Sequence, residues 1–95
     1  MRIISRKRLK EAALWHRELE TALDAWFRIA KKASWQSLLD VRKTFANADA
    51  VDKWTVFNIK GNKYRLITGI NYRHQRLYIR YVLTHAEYDQ EKWKQ

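Results

Sequence analysis

The sequence predicts an α+β domain, with a helical first half packed on one face of a small, mainly antiparallel sheet. Three observations carry that expectation. Leu19, Leu23, Trp26, Phe27 and Ala30 recur at helical spacing, one apolar stripe on one face. From Trp54 onward the residue choice shifts to β-branched and aromatic types in short alternating runs. Between two of those runs stands Gly61-Asn62, a two-residue signal for a tight hairpin.

Taken in chain order, Arg2-Ile3-Ile4 is a short apolar run that reads as a first strand, and Ser5 is placed to cap the helix that follows. Residues 6–33 read as a helix hairpin or one kinked helix, bent near residues 16–18. Leu9, Ala12, Ala13 and Trp15 are the apolar positions of its first arm, and the Leu19–Ala30 stripe marks its second. Ser34 is the expected cap of a short third helix that turns Trp35, Leu38 and Leu39 inward, and residues 46–53 read as a loop. Residues 55–60, 63–70 and 77–83 then form a three-stranded meander, joined at Gly61-Asn62 and at a looser turn over residues 72–75. The expected order is β-α-α-(α)-β-β-β with a short C-terminal helical turn.

Length and composition narrow the function. At 95 residues the chain is expected to form a single domain over residues 1–95. With 46% hydrophobic and 14% aromatic residues, that domain has material for a core without staples. There is no cysteine, which removes disulfides and thiolate metal sites. No apolar run approaches the ~18 residues of a membrane span. The basic N-terminus lacks the apolar region of a secretory signal, so a bacterial cytoplasm is the expected compartment. Twenty Lys and Arg against ten Asp and Glu leave a formal charge of +10. Such an excess favours a polyanionic partner, nucleic acid first, with an acidic protein or anionic membrane as the other classes.

The hairpin distributes that charge. With Gly61 and Asn62 as the two loop residues, Lys60 stands opposite Lys63, Asn58 opposite Arg65, and Phe57 opposite Leu66. Cross-strand partners share a face and each strand alternates, so Asn58, Lys60, Lys63 and Arg65 lie on one side and Phe57, Ile59, Tyr64 and Leu66 on the other. In the last strand Leu77, Ile79, Tyr81 and Leu83 form an apolar row. Packing that row under the helices leaves Arg80 on the side of Lys60, Lys63 and Arg65. Lysines on a hairpin serve as ordinary edge charges. Arginines in strand centres repel one another, and their rigid donor forks suit phosphate.

The stretch "THAEYD" (residues 84–89) follows the last strand directly. Thr84 and Glu87 fit a capping box for a short helix. That accounts for those two residues and leaves His85 and Tyr88, three apart and sharing a helical face.

Three segments together, "SWQSLLDVRKTFANAD" (residues 34–49), "VFNIKGNKYRLI" (56–67) and "LYIRYVLTHAEYD" (77–89), resemble the HigB family of toxins within the RelE-like superfamily of mRNA interferases. The opening "MRIISRKRLKEAA" fits the same pattern. The resemblance implies a RelE-like fold and a type II toxin, a ribosome-dependent endoribonuclease that cuts translated mRNA, inhibits translation and contacts ribosomal RNA. It also implies neutralisation by a cognate HigA-like helix-turn-helix antitoxin, and no membrane partner. Carried over by motif, Arg65, Arg80, His85 and Tyr88 are the expected catalytic residues. Lys60, Lys63 and, in the variable turn, Arg73 are the expected RNA-binding residues.

The chemistry so implied needs neither cofactor nor metal. The 2′-hydroxyl of RNA attacks the neighbouring phosphate, leaving a 2′,3′-cyclic phosphate and a 5′-hydroxyl. The three histidines form no H-x-x-x-H ligand pair. Arg65 and Arg80 are candidates to stabilise the phosphorane. Lys60 and Lys63 are candidates to grip flanking phosphates, and His85 to act as base or acid. Tyr88 is a candidate to orient the 2′-hydroxyl, donate a proton or stack on a base. The competing reading is a basic RNA-binding module without turnover.

Overall fold

The computed structural model describes residues 1–94. The chain runs β1 (Arg2–Ile4), α1 (Lys7–Trp15), a 3₁₀ turn (Arg17–Leu19), α2 (Glu20–Lys32), α3 (Leu38–Thr44), β2 (Asp49–Val51), β3 (Trp54–Ile59), β4 (Tyr64–Asn71), β5 (Arg76–Thr84), α4 (His85–Asp89) and a last 3₁₀ turn (Lys92–Lys94). The five strands lie in the order β1-β5-β4-β3-β2, with β1 parallel to β5 and the other pairs antiparallel. The α+β arrangement expected from the sequence is present, with one strand more than expected. Residues 49–51, read as loop, pair with β3 through Asp49–Val56, Ala50–Thr55 and Val51–Trp54. Ala and Asp are weak strand formers, and the open edge of β3 supplies the partner that local preference does not.

The helical layer follows the apolar stripe. Leu19, Leu23, Trp26 and Ala30 are all buried, and Phe27 is half-buried beside them. The expected bend falls at His16, whose backbone (φ −130°, ψ 85°) leaves the helix before the 3₁₀ turn. Trp15 does not turn inward; it is 84% exposed. Ser5 is not a cap: its φ of 68° sets the corner between β1 and α1, and Arg6 occupies the cap position without a side-chain bond. The cap of α3 is Ser37 rather than Ser34, its Oγ accepting from the Asp40 amide at 3.4 Å. A helix starting at Leu38 presents residues 41 and 45 inward, and Leu38, also expected inside, is only half-buried. Val41 is therefore fully buried and Leu39, expected inside, is 69% exposed.

Between helices and sheet, aromatic rings interlock. Phe57 packs against Trp26 at 5.3 Å between centroids, Phe45 at 5.3 Å and Trp35 at 6.2 Å. Leu66, Leu77 and Ile79 complete this core from β4 and β5.

Two irregularities decide what the other face carries. The β3–β4 register matches expectation as far as Phe57–Leu66 and Asn58–Arg65, but the last pair is Ile59–Tyr64. Lys60 has φ 53° and Gly61 φ 66°, so the loop spans residues 60–63 and Lys60 does not stand opposite Lys63 in the ladder. In β5 the expected single apolar row is broken. Ile67 pairs with Tyr81 and Thr68 with Ile79, which leaves Arg80 as the extra residue of a β-bulge. Leu77 and Ile79 face the helices, as does Val82, whereas Tyr81 and Leu83 turn to the opposite face. Where β1 has ended, the Arg8 guanidinium takes over the pairing by donating to the Arg80 carbonyl at 3.0 Å.

The face away from the helices is therefore not a bare cationic surface. Val56, Ile67 and Trp93 form a second buried cluster there, flanked by Trp54, Tyr81, Leu83 and Tyr88.

Candidate active site

At one end of the sheet the 60–63 loop, the start of β4 and the junction of β5 with α4 come together. The capping box expected at Thr84 is formed: the Glu87 carboxylate accepts from the Thr84 amide at 2.9 Å, and Thr84 Oγ1 accepts from the Glu87 amide at 3.2 Å. A five-residue helix has little stability of its own. It is anchored where the His85 amide donates to the Lys63 carbonyl at 2.9 Å. That bond sets His85 beside the hairpin loop.

The imidazole is held from its own helix. His85 Nδ1 lies 3.0 Å from Asp89 Oδ2, an i,i+4 pair in which both side chains are about half exposed. An acceptor on Nδ1 keeps the proton there and leaves Nε2 free to accept or donate. Tyr88 turns the other way. Its ring stacks on Trp93 at 5.1 Å and 14°, and the Trp93 indole donates to the Tyr88 carbonyl at 2.9 Å.

Arg65 is the most constrained of the cations. It is 8% exposed, and its Nη1 donates to the carbonyls of Asn62 at 2.9 Å and Tyr64 at 3.3 Å. Nη2 donates to the Asn62 side-chain oxygen at 2.7 Å, and the guanidinium carbon lies 5.3 Å from the Tyr88 ring centroid. These partners are neutral, and no carboxylate among the described residues pairs with it. The charge is positioned without being cancelled, which is what an anion site requires.

Arg80 reaches the same face by alternation after Ile79, and the bulge brings Tyr81 onto that face next to it. Its guanidinium lies 4.4 Å from the Trp54 ring centroid and 5.0 Å from that of Tyr81. Arg65 pairs with Leu83, so Arg80 sits two to three residues further along, ~10 Å at strand spacing.

The remaining predicted residues separate. Lys63 is exposed in the loop next to His85. Lys60, expected on the same face, instead points to the helical layer, its Nζ donating to the Glu18 carbonyl at 3.4 Å. The left-handed turn at Lys60 takes it out of the alternation. There it joins a small polar cluster: the Tyr64 hydroxyl donates to the Glu18 carboxylate and lies 3.3 Å from His16 Nδ1. That bond holds the Glu18 carboxyl below its ordinary pKa and raises that of Tyr64. Arg73 lies in the 72–75 turn, at the opposite end of the β4–β5 pair. The structure thus gathers Lys63, Arg65, His85 and Tyr88, sets Arg80 beside them, and leaves Lys60 and Arg73 apart.

Sequence reasoning missed three contributors. Asn62 was visible only as a turn residue, although it fastens Arg65. Asp89 was inside the quoted stretch, and its i,i+4 spacing to His85 was the available signal. Trp93 carried no signal, since nothing local says that the last residues fold back across the sheet.

A helical layer on one sheet face, with guanidinium, ammonium, imidazole and phenol groups at one end of the sheet, defines a class: small basic α+β proteins suited to a polyanionic chain. Residues 19–91 match the family model of the HigB toxins, described as the RelE-like toxic component of a toxin–antitoxin system, and the chain belongs to that family. It is similar to the mRNA interferase HigB of Escherichia coli O6:H1, 32% identical over 92 residues that cover 94% of this chain and 89% of the relative. It is likewise similar to the mRNA interferase HigB of Shigella flexneri, 34% identical over 92 residues, 94% of this chain and 88% of the relative.

Proposed function

We propose that this protein is the toxin of a type II toxin–antitoxin pair, an endoribonuclease that cuts translated mRNA on the ribosome in the bacterial cytoplasm. A HigA-like helix-turn-helix antitoxin neutralises it. Family membership and the names of the relatives support the toxin and interferase parts. The observation that carries the chemistry is the buried Arg65 guanidinium, held only by neutral groups, at the same end of the sheet as an imidazole oriented by Asp89.

In this mechanism the protein uses the nucleophile that RNA supplies. Lys63 and Arg80 hold phosphates on either side of the scissile linkage, and Arg65 donates to the non-bridging oxygens. The 2′-hydroxyl oxygen bonds to phosphorus and loses its proton. The P–O5′ bond breaks, and the 5′-oxygen gains a proton. His85, through Nε2, carries one of these two transfers, worth ~10²–10⁴-fold. Tyr88, held between Arg65 and Trp93, lines the ribose. Arg65 stabilises the charge that develops on the phosphorane, worth about 3–4 kcal/mol.

The test is induced expression with and without the neighbouring reading frame, with mapping of transcript 5′ ends. New in-frame ends bearing 5′-hydroxyls, absent in His85→Ala and suppressed by the second frame, are expected. RNA retention without new ends would indicate a binding module instead and overturn the assignment. A purified chain with ribosomes and chelator tests metal independence: loss of cleavage that added divalent ion restores only to ribosomes already shown intact would remove that part.

A further inference from the structure

The end of the sheet far from His85 carries a second group of residues that the mechanism above does not use. In the parallel β1–β5 ladder Arg2 stands directly opposite Arg76, and Ile4 opposite Tyr78. Leu77 is fully buried under the helices, so Arg76 and Tyr78 project from the other face, the face that bears Arg65 and Arg80. Both arginines are exposed, and neither has an ion-pair partner among the described residues. Like charges set opposite each other in a ladder destabilise it. Guarding a sheet edge explains Arg2, since β1 is an edge strand, but not Arg76, since β5 lies inside the sheet.

Tyr78 is a large ring left 41% exposed in that interior strand. Its partner on β4 is Gly69, which has no side chain to cover it. The Trp54 ring lies against Gly69 from the far side, 3.4 Å from where a Cβ would stand. Trp54 in turn lies under the Arg80 guanidinium, so the patch is continuous with the candidate active site. The Tyr78-to-His85 separation along the chain is about 20 Å at strand spacing, several nucleotides of an extended strand.

We propose that Arg2, Arg76 and Tyr78 form a subsite for one unpaired nucleotide of single-stranded RNA, with its phosphate between the two guanidinium groups and its base stacked on the Tyr78 ring. Arg73, in the adjoining turn, belongs with this subsite rather than with the cleavage site. The subsite rests on the RNA-cleaving reading above and adds to it a grip at a distance from the scissile bond. Two cations and an open aromatic ring match the two parts of a nucleotide. A stacked base adds affinity without demanding a particular sequence.

The experiment measures binding of a 2′-O-methylated single-stranded oligoadenylate, which lacks the nucleophile and cannot be cut. Tyr78→Ala is expected to weaken binding about 10-fold or more, and Tyr78→Phe, which keeps the ring, to bind as the original chain does. Tyr78→Thr keeps strand preference without the ring and is expected to repeat the loss in a folded protein. Arg76→Ala is expected to lower the salt slope of binding by about one. A duplex RNA of the same length, whose bases are not free to stack, is expected to ignore the Tyr78 changes. Unchanged binding by both Tyr78→Ala and Tyr78→Thr, equal losses on duplex and single strand, or loss by Tyr78→Phe would each overturn the subsite. Tyr78-dependent binding in a protein that makes no 5′-hydroxyl ends would overturn the cleavage reading and leave the subsite standing. Cleavage indifferent to Tyr78, with unchanged binding, would do the reverse.

Discussion

The two faces of this sheet are built from the same strands by different rules. Toward the helices, Phe57, Leu66, Leu77 and Ile79 are buried in a continuous apolar layer tied by edge-on aromatic contacts. On the other face, Val56, Ile67 and Trp93 form a smaller cluster in which Arg65 and Arg80 stand among tyrosine and tryptophan rings. The first face rests on burial, which is non-directional and tolerant of chemical detail. The second holds charged groups out of full solvent, and these need partners with fixed geometry: Asn62 for Arg65, Trp54 for Arg80, Asp89 for His85. Stability is concentrated on one face, leaving the other free to keep groups in positions that favour a ligand over the fold.

The contrast can be broken most forcefully on the helix side. Phe57→Ala removes a ring in contact with three others and is expected to cost about 3–5 kcal/mol of stability, read by urea unfolding. Next in size is Arg65→Ala, which is expected to reduce cleavage by about 3 kcal/mol of activation free energy. The same change should lower the unfolding free energy by only about 1–2 kcal/mol, because the bonds lost run to the neutral oxygens of Asn62 and Tyr64. A larger stability loss than activity loss would erase the division of labour between the faces. Trp93→Ala is expected to lower stability by about 3 kcal/mol, the low end for a buried tryptophan. It should also slow cleavage, since Tyr88 loses its stacked partner. Thr84→Ala removes the cap of α4, at about 1 kcal/mol. Its cleavage should fall while the melting of the helix-side core is unchanged, which hydrogen exchange would separate.

The smallest expected effect is a pH dependence. Glu18 is depressed first by the Tyr64 hydroxyl bond, so its ionised form favours the folded state. That contribution is present above the carboxyl's unfolded pKa and is lost as pH falls through the lower folded value. Glu18→Gln is expected to remove this acid-side slope, measured as thermal midpoint against pH, without changing cleavage. A slope unchanged by the substitution would place its origin elsewhere.

The difference between the faces also explains which expectations held. The α2 stripe, the Phe57–Leu66 pairing and the Thr84 capping box were all legible, because each is set by residues within one element or one hairpin. The placement of Arg65 followed from the same alternation. Arg80 followed from alternation after Leu77 and Ile79; it was Tyr81 and Leu83, expected under the helices, that the bulge moved onto the same face as Arg80. Lys60 was lost from the face because a left-handed turn residue does not obey the period of two.

The sequence by itself determined the element types, most of the register and the sign of the charge, since side-chain period and turn chemistry act over a few residues. Only the tertiary structure decided the bulge at Arg80, the seat of Lys60 on the Glu18 carbonyl, the fifth strand and the return of Trp93 across the sheet. Each of those is a choice between partners distant in the chain, where the free energy depends on what stands opposite rather than on what stands next.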